Sequence, residues 1–170
     1  RVSDWIAECL RLDNAVAALA ERYRYMSSCV VIGRGYNYAT AFEWSLKLKE
    51  LTYIVAEPYS TANFQHGPIA IVDQGFPVFA VAPSGQVFDD VFNLLNRLHE
   101  NQKAELVVIS DRSEALDLSK SPMKMPACIP EWVTPMVSIV PAQLFAFHLT
   151  QAKGNDTESP RAIQKVTETH

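Results

Sequence analysis

Residues 29–52 read CVVIGRGYNYATAFEWSLKLKELT, a stretch whose chemistry runs strand, turn, helix. Cys29–Gly33 is a short β-branched apolar run ending in glycine, the composition of a strand buried on both faces. GRGYNY at 33–38 is a turn, and the spacing predicts a helix from about Tyr38 to Thr52. A buried strand that feeds a helix through a glycine turn is the opening of a parallel α/β unit.

Outward from this stretch the pattern repeats. FPVFAVAP at 76–83 is a second buried strand, and QVFDDVFNLLNRLHENQ is a helix with Val87, Val91, Leu94, Leu95 and Leu98 facing inward. AELVVIS at 104–110 is a third strand closed by Asp111, and Met123–Cys128 a short fourth. Trp132–Lys153 reads as a long helix bent at Pro141, where proline removes an intrahelical hydrogen bond, and stopped by Gly154. Upstream, Ser3 caps a helix to about Tyr25, with Trp5, Cys9, Leu12, Val16, Leu19 and Tyr23 on one buried face. The expected fold is α/β: a three-layer α/β/α sandwich with a mostly parallel central sheet, flavodoxin-like in plan.

The bulk numbers narrow the function. A chain of 170 residues fits a single domain, 1–170, with a real core. Its formal charge of −4 and the absence of any Lys/Arg cluster argue against nucleic acid as a partner. No run approaches the roughly 18 consecutive apolar residues of a membrane span, and the amino end has no apolar signal core. Cys9, Cys29 and Cys128 are far apart and odd in number, which fits a reducing, cytoplasmic setting over a disulfide framework. His99, His148 and His170 have no Cys, Asp or Glu at ligand spacing, so no metal site and no cofactor is expected. His148, on an apolar helix, reads as a satisfied core histidine. Ser60, Ser84 and Ser110 lack a nucleophile-elbow context.

Four features could carry chemistry. Glu43, Lys47 and Glu50 stand at i, i+4 and i+7, on one helical face. Spacing alone leaves two readings: a solvated salt-bridge stripe, or a carboxylate poised for proton transfer beside a carbonyl. His66 lies in QHGP, a polar loop whose Gly67 and Pro68 suit a tight turn or a positioned side chain. Gly33, Arg34 and Gly35 form a strand-to-helix turn whose N–H groups can face an anion, though Tyr38 replaces the third glycine of a dinucleotide fingerprint. Lys165, in the tail SPRAIQKVTETH, becomes reactive only if burial or a neighbouring charge lowers its pKa.

Taken together, GRG, the E-x-x-x-K-L-K-E helix, AEPYS, QHGP, FHLTQAKGND and the PR-x-x-x-K tail resemble, in order, the SIS (sugar isomerase) domain family. The likeness is to the second SIS domain of two-domain members: the isomerase half of glutamine–fructose-6-phosphate aminotransferases, and SIS-type glucosamine-6-phosphate deaminases. The resemblance implies that Glu50 moves a proton between C1 and C2 of an open-chain sugar phosphate, supported by Glu43 and Lys47. It implies that His66 opens the sugar ring and can serve a neighbouring subunit's site. It also implies that Lys165 is the tail lysine, a Schiff-base former in the aminotransferases, although KVTETH is nearer to the deaminase or deglycase relatives. A non-catalytic sugar-phosphate-sensing SIS domain is the alternative outside enzymology.

In that family a Ser/Thr-rich loop of the first SIS domain grips the phosphate, and STANF at 60–64 is no equivalent. A dianion needs several converging donors. The expectation is therefore one half of a two-domain protein, completed by a first SIS domain that supplies the phosphate loop, and a homodimer as the resemblance implies.

Overall fold

The computed structural model describes residues 1–161. Its elements are α1 (Val2–Leu10), α2 (Asp13–Glu21), β1 (Ser28–Gly33), α3 (Tyr38–Thr52), β2 (Val55–Ser60), α4 (Thr61–Gln65), β3 (Pro77–Val81), α5 (Phe88–Arg97), β4 (Glu105–Ser110), α6 (Ser113–Asp117), β5 (Ser121–Lys124) and α7 (Thr134–Ala152). The five strands form one sheet in the order β2-β1-β3-β4-β5, with every pairing parallel.

The alternation of strand side chains makes two cores. Val31, Phe79, Val81, Val107 and Ile109 point to one face, where α1, α2, α3 and α7 cover them. Val30, Ile32, Val78, Ala80, Leu106 and Val108 point to the other, under Phe64 of α4, the apolar stripe of α5 and Ala115 of α6. Both faces are buried, which is why the strands read as unbroken apolar runs. At the centre of the first core Trp44, Phe79 and Phe145 meet edge-on, at centroid distances of 5.0, 5.9 and 5.2 Å. Each ring buried there contributes ~1.5–3 kcal/mol over leaving it in water.

Four expectations are corrected. The first helix is two: the chain tightens to i→i+3 bonds at Arg11 and Leu12 before α2 resumes. The break keeps one face inward, since Cys9, Val16 and Tyr23 are all buried. Ser3 is not its cap, because the helix begins at Val2 with Arg1 before it and no side-chain cap bond. The last strand is Ser121–Lys124, not 123–128. A further strand, β2, lies at the sheet edge in Val55–Ser60.

The helix α3 spans the residues its sequence predicts. α7 runs through Pro141 as one helix, and Gly154, at φ 75°, closes it with bonds from its own N–H to Gln151 and from Asn155 to Thr150. The segment Glu131–Ala152 is long and apolar enough to cross a membrane, but 56% of its most apolar window is buried inside the fold, as befits a core helix.

Candidate active site

α3 sets the site by dividing its faces. Ala41, Trp44 and Leu48 enter the core, and Ser45 donates its hydroxyl to the Ala56 carbonyl of β2 at 2.5 Å. The opposite face then presents Glu43, Lys47 and Glu50 together. The Lys47 ammonium lies 2.8 Å from a Glu50 carboxylate oxygen and 3.7 Å from one of Glu43. The Glu50 hydrogen bond holds the Lys47 ammonium above the ordinary lysine range, against an opposing desolvation effect. Glu50 keeps 30% of its side-chain surface exposed, so a carboxylate with a fixed cationic neighbour faces outward where a substrate can meet it.

The turn at Gly33–Gly35 lies at the other end of the same helix. A Cβ on Gly33 would stand 2.3 Å from the Asn37 carbonyl oxygen, and Gly35 adopts φ 57°; both glycines are required by the backbone. Arg34 is committed, its guanidinium 2.9 Å from Asp90 and 2.9 Å from the Thr61 hydroxyl. Asn37, Thr40, Thr134 and Ser138 form a buried, mutually bonded group that pins this end of α3 to α7. From Asn37 to Glu50 is thirteen residues of helix, or ~20 Å at 1.5 Å per residue.

Sheet order reverses between β1 and β3, and in open α/β sheets ligands favour the crevice beyond the carboxyl ends of those strands. Along the carboxyl edge of the sheet several loop groups pair within the chain. Ser84 donates both its N–H and its hydroxyl to Asp111, at 2.7 and 2.6 Å. The Gln86 N–H donates to Glu131 at 3.0 Å, and Arg112 pairs with Glu114. Nothing in the composition signals the Ser84–Asp111 and Gln86–Glu131 pairs, because their members are 27 and 45 residues apart.

His66 follows α4, which Ser60 caps by accepting the Asn63 N–H at 3.2 Å. Its side chain is exposed. Phe64 buries α4 in the second core while Trp44 and Leu48 bury α3 in the first, so His66 and Glu50 occupy different layers. Lys165 lies outside the described residues. The structure thus brings Glu43, Lys47 and Glu50 together, but not these with His66 or with Gly33–Gly35.

Other candidates fall to structural roles. His148 meets the Asp13 carboxylate at 2.7 Å, tying α7 to α2. Burial pushes the Cys9 thiol up to about 11 and the Cys29 thiol up as well, so neither offers a thiolate at neutral pH. Among the described residues no three His, Cys, Asp or Glu converge as metal ligands would.

Comparison with known proteins bears on the chain as a whole. A model of the SIS domain family matches residues 25–152. A glutamine–fructose-6-phosphate aminotransferase (isomerizing) of Thermococcus kodakarensis is 38% identical over 165 residues, covering 97% of this chain and 27% of the relative. The Legionella pneumophila (strain Paris) enzyme of the same name is 37% identical over 159 residues, covering 92% of this chain and 26% of its own length. The chain thus spans about a quarter of these relatives. Among solved structures, the C-terminal domain of glucosamine–fructose-6-phosphate aminotransferase from Francisella tularensis superposes with a TM-score of 0.85 at 29% identity, over 93% of this chain and 44% of that one. Glucosamine-6-phosphate deaminase from Thermotoga maritima shares the fold, with a TM-score of 0.63 at 21% identity over 92% of this chain and 47% of that one. With the parallel sheet and the family match in agreement, the chain belongs to the SIS domain family of sugar-phosphate isomerase folds.

Proposed function

We propose that this domain supplies the proton-transfer half of a sugar-phosphate site, with Glu50 moving a proton between C1 and C2 of an open-chain 6-phosphorylated sugar. The single observation that carries the reading is the Glu43–Lys47–Glu50 constellation on the outer face of α3, fixed at 2.8 Å and 3.7 Å. A carboxylate in that setting can take the C1 proton of a 2-ketose or the C2 proton of its aldose isomer, while Lys47 holds it in place. His66, exposed and in a different layer, suits ring opening at a neighbouring subunit's site. Lys165 belongs to the tail that the resemblance assigns to substrate.

Arg34 of the Gly33–Gly35 turn is already paired with Asp90 and Thr61, and Glu50 lies at the other end of α3. The phosphate clamp is therefore assigned to a first SIS domain, and the working unit to a homodimer of two-domain chains. The amine-handling step is finer still. The curated relatives at 38% and 37% identity carry the aminotransferase name, whereas the deaminase likeness is structural at 21%. Glutamine-dependent amination of fructose 6-phosphate is thus the favoured parent reaction. The deaminase reading keeps one support, the KVTETH tail.

The test is Glu50→Gln in the parent protein, assayed for glucosamine 6-phosphate formed from glutamine and fructose 6-phosphate, and for the reverse release of ammonia. Loss of a general base lowers kcat by ~10²–10⁴-fold with the far-UV spectrum unchanged. Retained turnover in the variant removes Glu50 from the mechanism.

A further inference from the structure

We infer that Tyr53 is a positioning residue that docks the carboxy-terminal segment against the end of the helix carrying Glu50. The inference rests on the reading above for its consequence, but on separate contacts for its geometry.

Tyr53 terminates α3 in the left-handed region, at φ 59° and ψ 23°, where glycine is the usual occupant. A non-glycine residue there is worth explaining, and its side chain is engaged on both of its faculties. The Arg161 guanidinium stacks over the Tyr53 ring, 4.4 Å from its centroid. The Arg161 backbone N–H donates to the Tyr53 hydroxyl at 2.9 Å. A ring that offers its face to a cation and its oxygen to the same residue's backbone grips that residue in position and in direction.

The approach to this grip is also tied down. Lys153 donates to the carbonyls of Arg24 and Met26, at 2.9 and 2.7 Å. The Asn155 amide donates to the carbonyl of Leu51, the neighbour of Glu50, at 3.2 Å. Asp156 accepts the backbone N–H groups of Glu158 and Ser159, at 2.8 and 3.2 Å, and so folds the segment back. Between these tethers lies an open hollow lined by Tyr25, Thr52, Tyr53 and Lys153. The chain leaving α7 is therefore fastened at Leu51 and again at Tyr53, within one turn of Glu50.

Lys165 is four residues beyond Arg161, and four residues of chain reach at most ~14 Å whatever their conformation. Fastening Arg161 to Tyr53 holds the last described residue at the end of the helix that carries Glu50, and the chain that follows starts from that point. Tyr53 need not touch substrate to matter: it sets the effective concentration of the tail at the site.

Two variants of the parent protein test this. Tyr53→Gly removes ring and hydroxyl yet suits the positive φ, and Tyr53→Phe keeps the ring but loses the acceptor. Native trypsin cleavage after Arg161, followed by mass spectrometry, reads the dock directly. It accelerates about tenfold in Tyr53→Gly, the closing effect of one cation–π contact and one hydrogen bond, and less in Tyr53→Phe. In Tyr53→Gly the kcat for sugar-phosphate conversion falls about tenfold with KM and the urea midpoint near wild type. Unchanged cleavage after Arg161 overturns the dock. Faster cleavage with unchanged kcat overturns its positioning role. Neither result depends on the Glu50→Gln outcome, which tests the proton transfer itself.

Discussion

Lys47 stands between two carboxylates that would otherwise repel along one helical face, and it is closer to one than to the other. The 2.8 Å contact to Glu50 against 3.7 Å to Glu43 makes the stripe asymmetric. Its titration carries the signature. A lysine whose folded pKa is raised stabilises the fold fully below its ordinary value, and that contribution is lost as pH rises through the raised one. The constellation is thus sensitive to alkali through Lys47 and insensitive to that residue near neutrality. Side-chain NMR of labelled lysines should find Lys47 titrating above the other lysines, and moving back toward them in Glu50→Gln; an unmoved Lys47 would deny the coupling. Helical spacing alone makes this stripe legible, because i, i+4 and i+7 must share a face. Which carboxylate holds the lysine is set by rotamers, and no spacing rule contains that.

At the scale of the element, α3 is decided by the turn before it. Gly33→Ala forces a Cβ to within 2.3 Å of the Asn37 carbonyl oxygen, against backbone that cannot swing aside. The expected cost is ~1–3 kcal/mol, read as a lowered urea midpoint. A midpoint at the wild-type value would mean the turn can widen freely. Elements buried on both faces were readable, because β1, β3 and β4 give apolar runs and α3 carries a helical pattern to its last residue. β2 was not. It is an edge strand with Val55 and Glu57 exposed and Pro58 within it, so neither alternation nor a continuous apolar run marks it. The break between α1 and α2 escaped for the opposite reason: a tight turn that returns the next helix to the same face leaves the spacing of Cys9, Val16 and Tyr23 undisturbed. QHGP marks His66 as a candidate, but its layer is fixed by Phe64, whose choice of core appears only in three dimensions.

For the molecule as a whole, the decisive fact is that α3 follows the Gly33–Gly35 turn and carries Glu50 near its other end, with ~20 Å of helix between Asn37 and Glu50. One open-chain hexose 6-phosphate cannot reach both. If substrate binds at Glu50, then Arg34→Ala in the parent protein leaves KM for the sugar phosphate within about twofold of wild type. That substitution removes a pairing with Asp90 and Thr61, at 2.9 Å each, and exposed pairs are worth at most ~1 kcal/mol. A tenfold rise in KM would instead return the phosphate to this domain's own crevice.

The last helix adds a constraint in time. α7 supplies Val137, Ala142, Phe145, Ala146 and Leu149 to the core that α3 also fills, yet among the described elements it is the last to leave the ribosome. Until it arrives, Trp44 and Phe79 lack the Phe145 ring that meets them at 5.9 and 5.2 Å. The sheet can pair its strands during synthesis, but the cover of one of its faces stays incomplete until residue 149 is free. The order of translation therefore runs against the order of burial, and the nascent domain spends most of its synthesis with α3 in place and the floor beneath that helix unfinished.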